Sequence, residues 1–303
     1  MASDSNTELK IKDYDLFAGC TIQNRIPFIE KSARFVFEKL GYTLHDNSFG
    51  CCPDPVGVQS TDYQTWLTLG ARNLALSEKS NHPIVSLCNG CTETLKAVNY
   101  ELKHSDKEYI IVQKRLEAVG KTYSKTTEVK HFIELLHEDI GLEKIKELVV
   151  KPLTGLKIAN HVGCHYSRPS KMMQVDDPMH PRFPADIVEA LGATHIDYEE
   201  ENLCCTSALA RNNEDASNGL MRRKYQSIID SGAQIIAVNC PSCYQQLEVG
   251  QRSMKKAFNM IVKIPVLYIT ELIALAFGAS MSDIGFKFHQ IKPIKLLKEY
   301  GFE

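Results

Sequence analysis

The cysteines of this chain form a repeated pattern that constrains its fold more than any other feature. Each repeat has a lone cysteine, then an adjacent pair, then a Cys-x-x-Cys motif. The two sets are Cys20, Cys51, Cys52, Cys88, Cys91 and Cys164, Cys204, Cys205, Cys240, Cys243. The lone cysteine and the pair are separated by 30 residues in the first set and 39 in the second, and the pair and the motif by 35 and 34. All ten cysteines belong to this pattern, which predicts a duplicated domain whose thiols act together as metal ligands.

Short segments outside the cysteines repeat at a nearly constant offset of 151 to 153 residues. Leu40-Gly41 recurs as Leu191-Gly192, and Leu95 recurs as Leu247. The sequence therefore predicts a first cysteine-rich domain at 1–150 and a second at 151–303. Within the first, we expect a polar tail at 1–13 and a helical connector at about 104–150, with His131 and His137 on ordinary packed or solvated faces. The extra residues of the second half are expected in a loop at 169–184.

Strand and helix patterns alternate in both halves. Apolar runs at 14–20 and 156–164 each end in Gly-Cys and are typical of strands. A helical pattern at 29–40 stops at Gly41, a second helix is predicted at 63–78, and a strand at 83–87 leads into the first Cys-x-x-Cys. This order predicts an α/β fold of two pseudo-symmetric domains. Each would be a small parallel sheet with flanking helices and a cluster site at the carboxyl ends of its strands.

Composition excludes several classes of partner. The net charge is -2 with acidic and basic residues interspersed, so we expect no nucleic-acid binding. The amino-terminal segment is polar, and the longest apolar run, near 269–277, is too short to cross a bilayer. We therefore expect a cytoplasmic chain without direct membrane insertion, in a compartment where free thiols serve metal binding or redox chemistry. Neither a Gly-x-Gly-x-x-Gly motif nor a phosphate-binding loop is present, so flavin or nicotinamide binding is not expected.

The number of thiols in each half favours iron-sulfur chemistry. A tetrahedral zinc ion takes four ligands, usually from two Cys-x-x-Cys units, whereas each half has one such unit, an adjacent pair and a fifth cysteine. Cysteines that are adjacent in sequence can reach different irons of a larger cluster. Zinc in at least one half, and buried thiols without a ligand or disulfides, remain open alternatives.

The segments around the cysteines resemble the cysteine-rich CCG domain family, and within it most closely the B subunits of heterodisulfide reductases. The resemblance covers nearly the whole chain. The matching segments are Ala18-Gly19-Cys20, Cys51-Cys52-Pro53, Leu87-Cys88-Asn89-Gly90-Cys91, Gly163-Cys164-His165, Arg168-Pro169-Ser170 and Cys240-Pro241-Ser242-Cys243.

The resemblance implies that each half holds a noncubane [4Fe-4S] cluster through its five cysteines. It further implies an oxidoreductase subunit that reduces the disulfide of coenzyme M and coenzyme B between the two clusters. The implied partners are a ferredoxin-like iron-sulfur subunit and a flavin subunit, with a hydrogenase or formate dehydrogenase in some complexes. Paired domains of this kind also occur in sulfur-oxidising, succinate dehydrogenase and fumarate reductase complexes. The alternative is therefore an electron-transfer or docking subunit that acts on another disulfide or on none.

Candidate substrate residues lie next to the cysteines in the sequence. An anionic thiol substrate needs cationic partners, for which the candidates are Arg25, Arg168, Lys171 and Arg211; the alternative is ordinary surface charge. His165 follows Cys164 directly and is a candidate proton or hydrogen-bond donor. The chain departs from the family where Pro53 and Thr206 follow the two cysteine pairs in place of glycine. Glycine there lets backbone approach a cluster closely, so the replacements predict an altered pocket or substrate.

Overall fold

The computed structural model describes residues 12–303. Within that range the chain forms two four-stranded sheets, one in each half, and every strand pair is parallel. Most of the predicted polar tail, residues 1–11, lies outside the described residues. The first sheet consists of β1 Asp13–Phe17, β2 Thr43–His45, β3 Ile84–Ser86 and β4 Val129–His131. The second sheet consists of β5 Lys157–His161, β6 Thr194–His195, β7 Ile235–Val238 and β8 Val266–Tyr268.

Helices connect the strands in both halves. Those of the first half are α1 Gly19–Arg25, α2 Phe28–Leu40, α3 Gly57–Thr61, α4 Tyr63–Ser80, α5 Asn89–His104, α6 Asp106–Glu117, α7 Phe132–Glu134 and α8 Leu142–Glu147, with a π-helical stretch at Leu135–Ile140 between the last two. Those of the second half are α9 Ser170–Met173, α10 Phe183–Ala190, α11 Glu214–Asp230, α12 Pro241–Phe258, α13 Ile269–Ala276, α14 Met281–Ile284 and α15 Ile294–Glu299, with a 3-10 turn at Phe286–Phe288. The predicted α/β class and its duplication are confirmed.

The strand order is the same in both sheets and indicates where a ligand site should lie. The orders are β2-β1-β3-β4 and β6-β5-β7-β8, so the direction in which strands are added reverses between the two central strands of each sheet. In open parallel sheets, ligands bind beyond the carboxyl ends of the strands at such a reversal. The central strands β3 and β7 are buried along their whole length, as strands covered by helices on both faces must be.

The predicted helical connector contains a strand. Residues 129–131 form β4, which pairs with β3 and completes the first sheet, and a π-helical stretch follows it. The expectation of a purely helical segment at about 104–150 is therefore wrong, although α6, α7 and α8 lie within it. Its counterpart β8 occupies the same edge of the second sheet. After both strands a glutamate, Glu134 or Glu271, accepts a hydrogen bond from the backbone of the last strand residue.

The two halves pack against each other through buried side chains. The helix α2 of the first half contacts α13 of the second, where the Ser32 and Thr270 hydroxyls are hydrogen-bonded at 2.8 Å. The apolar positions of α2 that the sequence singled out, such as Ile29 and Phe37, are fully buried. His137 stacks on Phe183 of α10. Among residues 12–303, no helix has both the length and the apolar character needed to cross a membrane.

Candidate metal centre

Each lone cysteine follows the carboxyl end of a central strand through a glycine. Gly19 and Gly163 both have left-handed backbone, with φ of +72° and +83°. A Cβ on Gly19 would lie 2.9 Å from the Cys91 sulfur, and one on Gly163 would lie 3.2 Å from the Cys243 sulfur. Any larger residue would therefore be strained and would push against a thiol in either half.

Each Cys-x-x-Cys motif begins a long helix. Cys88 is the N-cap residue of α5 and Cys240 that of α12, and each comes two residues after the end of the preceding strand. Cys91 and Cys243 lie in the first turn of the same helices. The positive end of the helix dipole stabilises a thiolate at this position, so the fold supplies part of the charge that a cluster of thiolates requires.

The adjacent pairs lie in loops that buried polar side chains hold in place. Asn73 of α4 accepts a hydrogen bond from Gly50 N and donates one to Cys51 O, both at 2.9 Å. In the second half, fully buried Lys224 of α11 donates to the carbonyl oxygens of Glu200 and Glu201, just before the pair. The sequence analysis did not single out Asn73 or Lys224. Asn73 on α4 and Lys224 on α11 are 151 residues apart, which lies within the offset that relates the two halves, so they occupy corresponding positions.

The sulfurs of each half form a connected group with the same order of contacts. The Cys52 and Cys91 sulfurs are 3.2 Å apart, and the Cys164 and Cys204 sulfurs are 3.8 Å apart. Further thiol pairs shift each other's pKa: Cys51 with Cys52 and Cys88 with Cys91 in the first half, and Cys204 with Cys205, Cys205 with Cys243 and Cys240 with Cys243 in the second. Cys20 interacts electrostatically with Cys51. The two groups approach each other at Cys88 and Cys240, where the Cys240 thiol raises the pKa of Cys88 and the Cys88 thiol lowers that of Cys240.

Proton sharing within these groups shifts the thiol pKa values in opposite directions. Hydrogen bonds from Cys51 and Cys91 lower the pKa of Cys52. Hydrogen bonds from Cys243 and Cys88 likewise lower the pKa of Cys240. Some sulfurs are therefore stabilised as thiolates by their neighbours, which is the form in which cysteine binds metals.

The donor set fits an iron-sulfur group in each half. All ten cysteines are free thiols, and five of them, Cys88, Cys91, Cys205, Cys240 and Cys243, are buried. Clustered thiols with few other donors are typical of iron-sulfur or zinc sites, and five in one group exceed the four of a tetrahedral zinc ion. Cys20 and Cys51 are exposed, so the first group opens to solvent on that side.

The second group includes a histidine that the sequence analysis did not single out. A ligand atom of His161 lies within 4.8 Å of the sulfurs of Cys205 and Cys243, which also lie within that distance of each other. His161 is the last residue of β5 and is 1% exposed. Burial lowers its pKa well below the ordinary value, so the ring is neutral. The signal for it in the sequence was its place three residues before the lone cysteine, where the first half has Phe17.

The residues that replace the family glycine differ between the halves. Thr206 has a left-handed backbone, with φ of +62°, which is the conformation that glycine adopts easily. Its NH donates to the Cys204 sulfur at 3.3 Å and its hydroxyl bonds to Ser217 at 2.7 Å. Pro53 cannot adopt this conformation because its ring fixes a negative φ. The backbone after the pair therefore differs between the two halves.

The predicted substrate residues occupy different environments. His165 is partly buried, and its Nδ1 lies 3.9 Å from Glu93 Oε2 across the boundary between the halves. Arg168 is partly buried, and its Nε has no hydrogen-bond partner within residues 12–303. Lys171 is exposed over the ring of Tyr100, whereas Arg25 and Arg211 are exposed at the surface. Their roles toward a substrate remain predictions.

Glu93 is a further residue that the sequence analysis missed. It is 4% exposed, two residues after Cys91, and burial raises its pKa to about 7, with the nearby Cys52 adding to the effect. A neutral or easily neutralised carboxyl group thus lies beside His165 at the boundary between the halves.

Comparison with known proteins agrees with this architecture. The cysteine-rich (CCG) domain family matches residues 14–96 and 158–248, one match in each half. Each match includes the central strands and all five cysteines of its half. The chain therefore belongs to the cysteine-rich CCG domain family.

Curated relatives extend over nearly the whole chain. The B subunit of a ferredoxin/F420H2-dependent CoB-CoM heterodisulfide reductase of Methanosarcina acetivorans is 35% identical over 93% of this chain and 95% of its own length. A protein of Archaeoglobus profundus named as similar to the B subunits of heterodisulfide reductases is 33% identical, over 88% of this chain and 90% of its own. The membrane anchor subunit of the 8-methylmenaquinol:fumarate reductase of Wolinella succinogenes is 28% identical, over 94% and 99%. The chain is thus similar to heterodisulfide reductase B subunits, which their names identify as parts of oxidoreductase complexes.

A solved structure shares the fold. The crystal structure of a hypothetical protein from Helicobacter pylori superposes with a TM-score of 0.73 at 17% identity. The match covers 93% of this chain but 52% of that one, so this chain spans about half the length of the solved protein.

Proposed function

We propose that this chain is the disulfide-reducing subunit of a heterodisulfide-reductase complex and that its substrate is the disulfide of coenzyme M and coenzyme B. The observation that carries the proposal is the close approach of two equivalent five-thiol groups, whose ligand-bearing turns are joined by hydrogen bonds of Asn89 to Val162 O and from Asn239. Reduction of a disulfide to two thiols consumes two electrons and two protons. Two one-electron sites next to each other are suited to that stoichiometry.

The cysteines would hold the redox groups in this proposal. Cys20, Cys51, Cys52, Cys88 and Cys91 would bind one noncubane [4Fe-4S] cluster, and Cys164, Cys204, Cys205, Cys240 and Cys243 the other. Iron-sulfur clusters, when bound, supply electrons one at a time. The amino-terminal ends of α5 and α12 stabilise the thiolates of the two Cys-x-x-Cys motifs.

Other side chains would bind the substrate and hold its protons. His165 and Glu93 face each other across the boundary between the halves, where Glu93 can hold a proton near neutral pH. Arg168, with a buried Nε, is the cation best placed to recognise an anionic group on the substrate. Three further cations are exposed and would attract the anionic substrate as it enters: Lys171, Arg211 and Arg25.

The electron donors would be other subunits of the complex. We assign this chain a ferredoxin-like iron-sulfur subunit and a flavin subunit as partners in the cytoplasm, with a hydrogenase or formate dehydrogenase upstream in some complexes. The names of the Methanosarcina relatives, which include ferredoxin as electron donor, support this assignment.

A second candidate function rests on the Wolinella relative. That protein is named as a membrane anchor subunit of a fumarate reductase, at 28% identity over nearly the whole chain. In this alternative the chain transfers electrons or docks partners, and its metal groups, including zinc in one half, do not contact a disulfide.

Metal analysis separates these functions. Iron, acid-labile sulfide and zinc are measured per chain on anaerobically purified protein, and spectra are recorded with and without the heterodisulfide. We expect about eight irons with matching sulfide and a new paramagnetic signal on addition of the heterodisulfide. Zinc with little iron would contradict the proposal and favour the docking role.

Substitution of one cysteine in each half tests the two-site mechanism. Cys52→Ala and Cys205→Ala should each abolish heterodisulfide turnover with an artificial donor, because each removes a ligand from one of the two one-electron sites. Ser124→Ala, at an exposed residue distant in sequence from both pairs, is the control and should keep full turnover. Full activity in either cysteine variant would rule out a mechanism that uses both halves.

A further inference from the structure

The histidine at the end of β5 has no hydrogen-bond partner in the described part of the chain. Neither ring nitrogen of His161 is hydrogen-bonded within residues 12–303, although the side chain is almost completely buried. A neutral imidazole always has one N–H donor and one acceptor nitrogen, and a buried donor without a partner costs about 1–3 kcal/mol. We therefore expect the ring nitrogens of His161 to interact with a group other than the oxygen and nitrogen atoms of the protein.

The groups that face His161 are sulfurs. The sulfurs of Cys205 and Cys243 lie within 4.8 Å of a ring nitrogen, and Cys204 and Cys240 interact with the ring electrostatically. The charged group nearest to the ring that is not a thiol is Lys224, whose Nζ is already hydrogen-bonded to backbone carbonyls. The available acceptors for the imidazole N–H are therefore sulfur atoms of the second site.

The position equivalent to His161 in the first half carries no hydrogen-bond donor. The residue three positions before its lone cysteine is Phe17, at the end of β1, which matches His161 at the end of β5. Phe17 is fully buried and packs against the ring of Phe49 at a centroid distance of 4.9 Å. The two otherwise equivalent thiol groups thus differ at this position, with an apolar ring in one half and an imidazole in the other.

We infer that His161 donates a hydrogen bond to a sulfur of the second site and thereby raises the reduction potential of that site. This inference rests on the proposed function, because it requires an iron-sulfur group in the second half. A hydrogen bond to sulfur stabilises the more electron-rich, reduced state of such a group. The two halves would then differ in the hydrogen bonding of their sites at this position.

The test replaces the imidazole by the residue of the other half. In His161→Phe, redox titration followed by electron paramagnetic resonance should show one of two potentials lowered and the other unchanged. A hydrogen bond of ordinary strength predicts about a tenfold change in the one-electron equilibrium constant, equivalent to about 59 mV. His161→Gln, which keeps an N–H donor, should shift the potential less. His137→Phe, at a histidine that pairs with Asp186 and stacks on Phe183, should shift neither potential.

The outcomes distinguish this inference from the proposed function. Absence of iron from the wild-type protein would contradict the proposed function itself. Two iron-sulfur signals with potentials that are unchanged in His161→Phe would overturn the inference and leave the proposed function intact.

A second measurement covers a His161→Phe variant that fails to bind its second group. Wild-type protein labelled with 15N-histidine should show a weak nitrogen coupling to the paramagnetic centre of the second site. A strong coupling, which indicates nitrogen bonded directly to iron, or no coupling at all, would overturn the hydrogen-bond role.

Discussion

At the scale of single residues, Thr206 shows how the chain keeps a conformation after losing the residue that usually provides it. A β-branched residue with positive φ is strained by about 1–2 kcal/mol. The buried hydrogen bond between the Thr206 and Ser217 hydroxyls contributes about 1 kcal/mol in return. The turn after the second cysteine pair is therefore maintained by a side-chain contact in place of backbone freedom.

Thr206→Gly should stabilise a protein in which Ser217 has already been replaced by alanine, so that the hydrogen bond between the two hydroxyls does not enter the comparison. In a Ser217→Ala background, the expected gain in the free energy of unfolding is about 1–2 kcal/mol, because strain is relieved and no hydroxyl is left unpaired. In the wild-type background the gain should be smaller, since Ser217 loses its partner. Denaturant unfolding of the four proteins measures both terms.

The control for that cycle is a buried threonine without left-handed backbone. The Thr127 hydroxyl donates to Leu74 O at 2.9 Å, so Thr127→Gly should lower the free energy of unfolding of the protein. If Thr206→Gly in the Ser217→Ala background lowered the free energy of unfolding as much as Thr127→Gly lowers that of the wild type, Thr206 would not be strained.

At the scale of secondary structure, the sequence predicted the long helices and the apolar strand β3 but missed the strand β4. The helices expected at 29–40 and 63–78 are observed at Phe28–Leu40 and Tyr63–Ser80, because their apolar residues recur over several turns. The strand β4 has three residues, too few for a periodic pattern, and its charged flanks are typical of helices. Its position is determined by pairing with β3, a contact between residues far apart in sequence.

The same reasoning explains what was predicted at the site. The ten cysteines follow a pattern that the sequence displays directly, and the structure brings each set of five together. His161, Lys224 and Glu93 were missed because a single polar residue in an apolar or helical segment has no pattern of its own. Alignment of the two halves supplies a signal for His161, since its counterpart is Phe17. No such signal exists for Glu93, whose importance depends on the packing of one half against the other.

Asp15 shows how a strand residue can fix the loop that presents the first cysteine pair. Its buried carboxylate accepts hydrogen bonds from Ser77 and Ser80, both at 2.6 Å, and from Asn47 at 2.8 Å. Burial alone raises the pKa of Asp15, but these hydrogen bonds together with that from His82 leave the pKa below its ordinary value. Asn47 belongs to the loop that leads to Cys51.

Asp15→Asn should therefore destabilise the protein in a pH-dependent way. A carboxyl group with a lowered folded-state pKa contributes stability above its unfolded pKa, and this stability is lost as the pH falls through the folded pKa. The difference between wild type and Asp15→Asn should be about 2 kcal/mol at pH 7 and should shrink below about pH 4. Thermal unfolding at several pH values measures this difference.

Asp13→Asn provides a matched control two residues earlier on the same strand. Asp13 is exposed and bonds to a partly exposed histidine, His45, so its substitution should change the unfolding temperature little at any pH. A difference between wild type and Asp15→Asn that stays constant from about pH 7 to about pH 3 would show that ionisation of Asp15 does not contribute to stability.

At the scale of the whole molecule, buried amides tie the two thiol groups together. Asn89, inside the first Cys-x-x-Cys motif, donates to Val162 O at 2.7 Å, two residues before the lone cysteine of the second half. Its Oδ1 accepts from Asn239 at 3.2 Å, directly before Cys240. The Tyr268 hydroxyl also donates across the boundary, to Leu87 O. Each half thus completes the ligand-bearing turns of the other, which explains why the two sites share one boundary.

Asn89→Ala should consequently perturb both halves at once. It leaves Val162 O and the Asn239 amide without partners in a buried region, at a cost of about 1–3 kcal/mol for each group. We expect a lower free energy of unfolding, and changed paramagnetic spectra and reduction potentials for both metal groups. Asn99→Ala is the matched control, because Asn99 also makes two hydrogen bonds, to Thr127 O and from the Tyr123 hydroxyl, but both lie within the first half. It should reduce stability and leave the second group's spectrum unchanged. If Asn89→Ala altered the first group alone, the two halves would be independent sites on one chain, and a shared substrate between them would lose its structural basis.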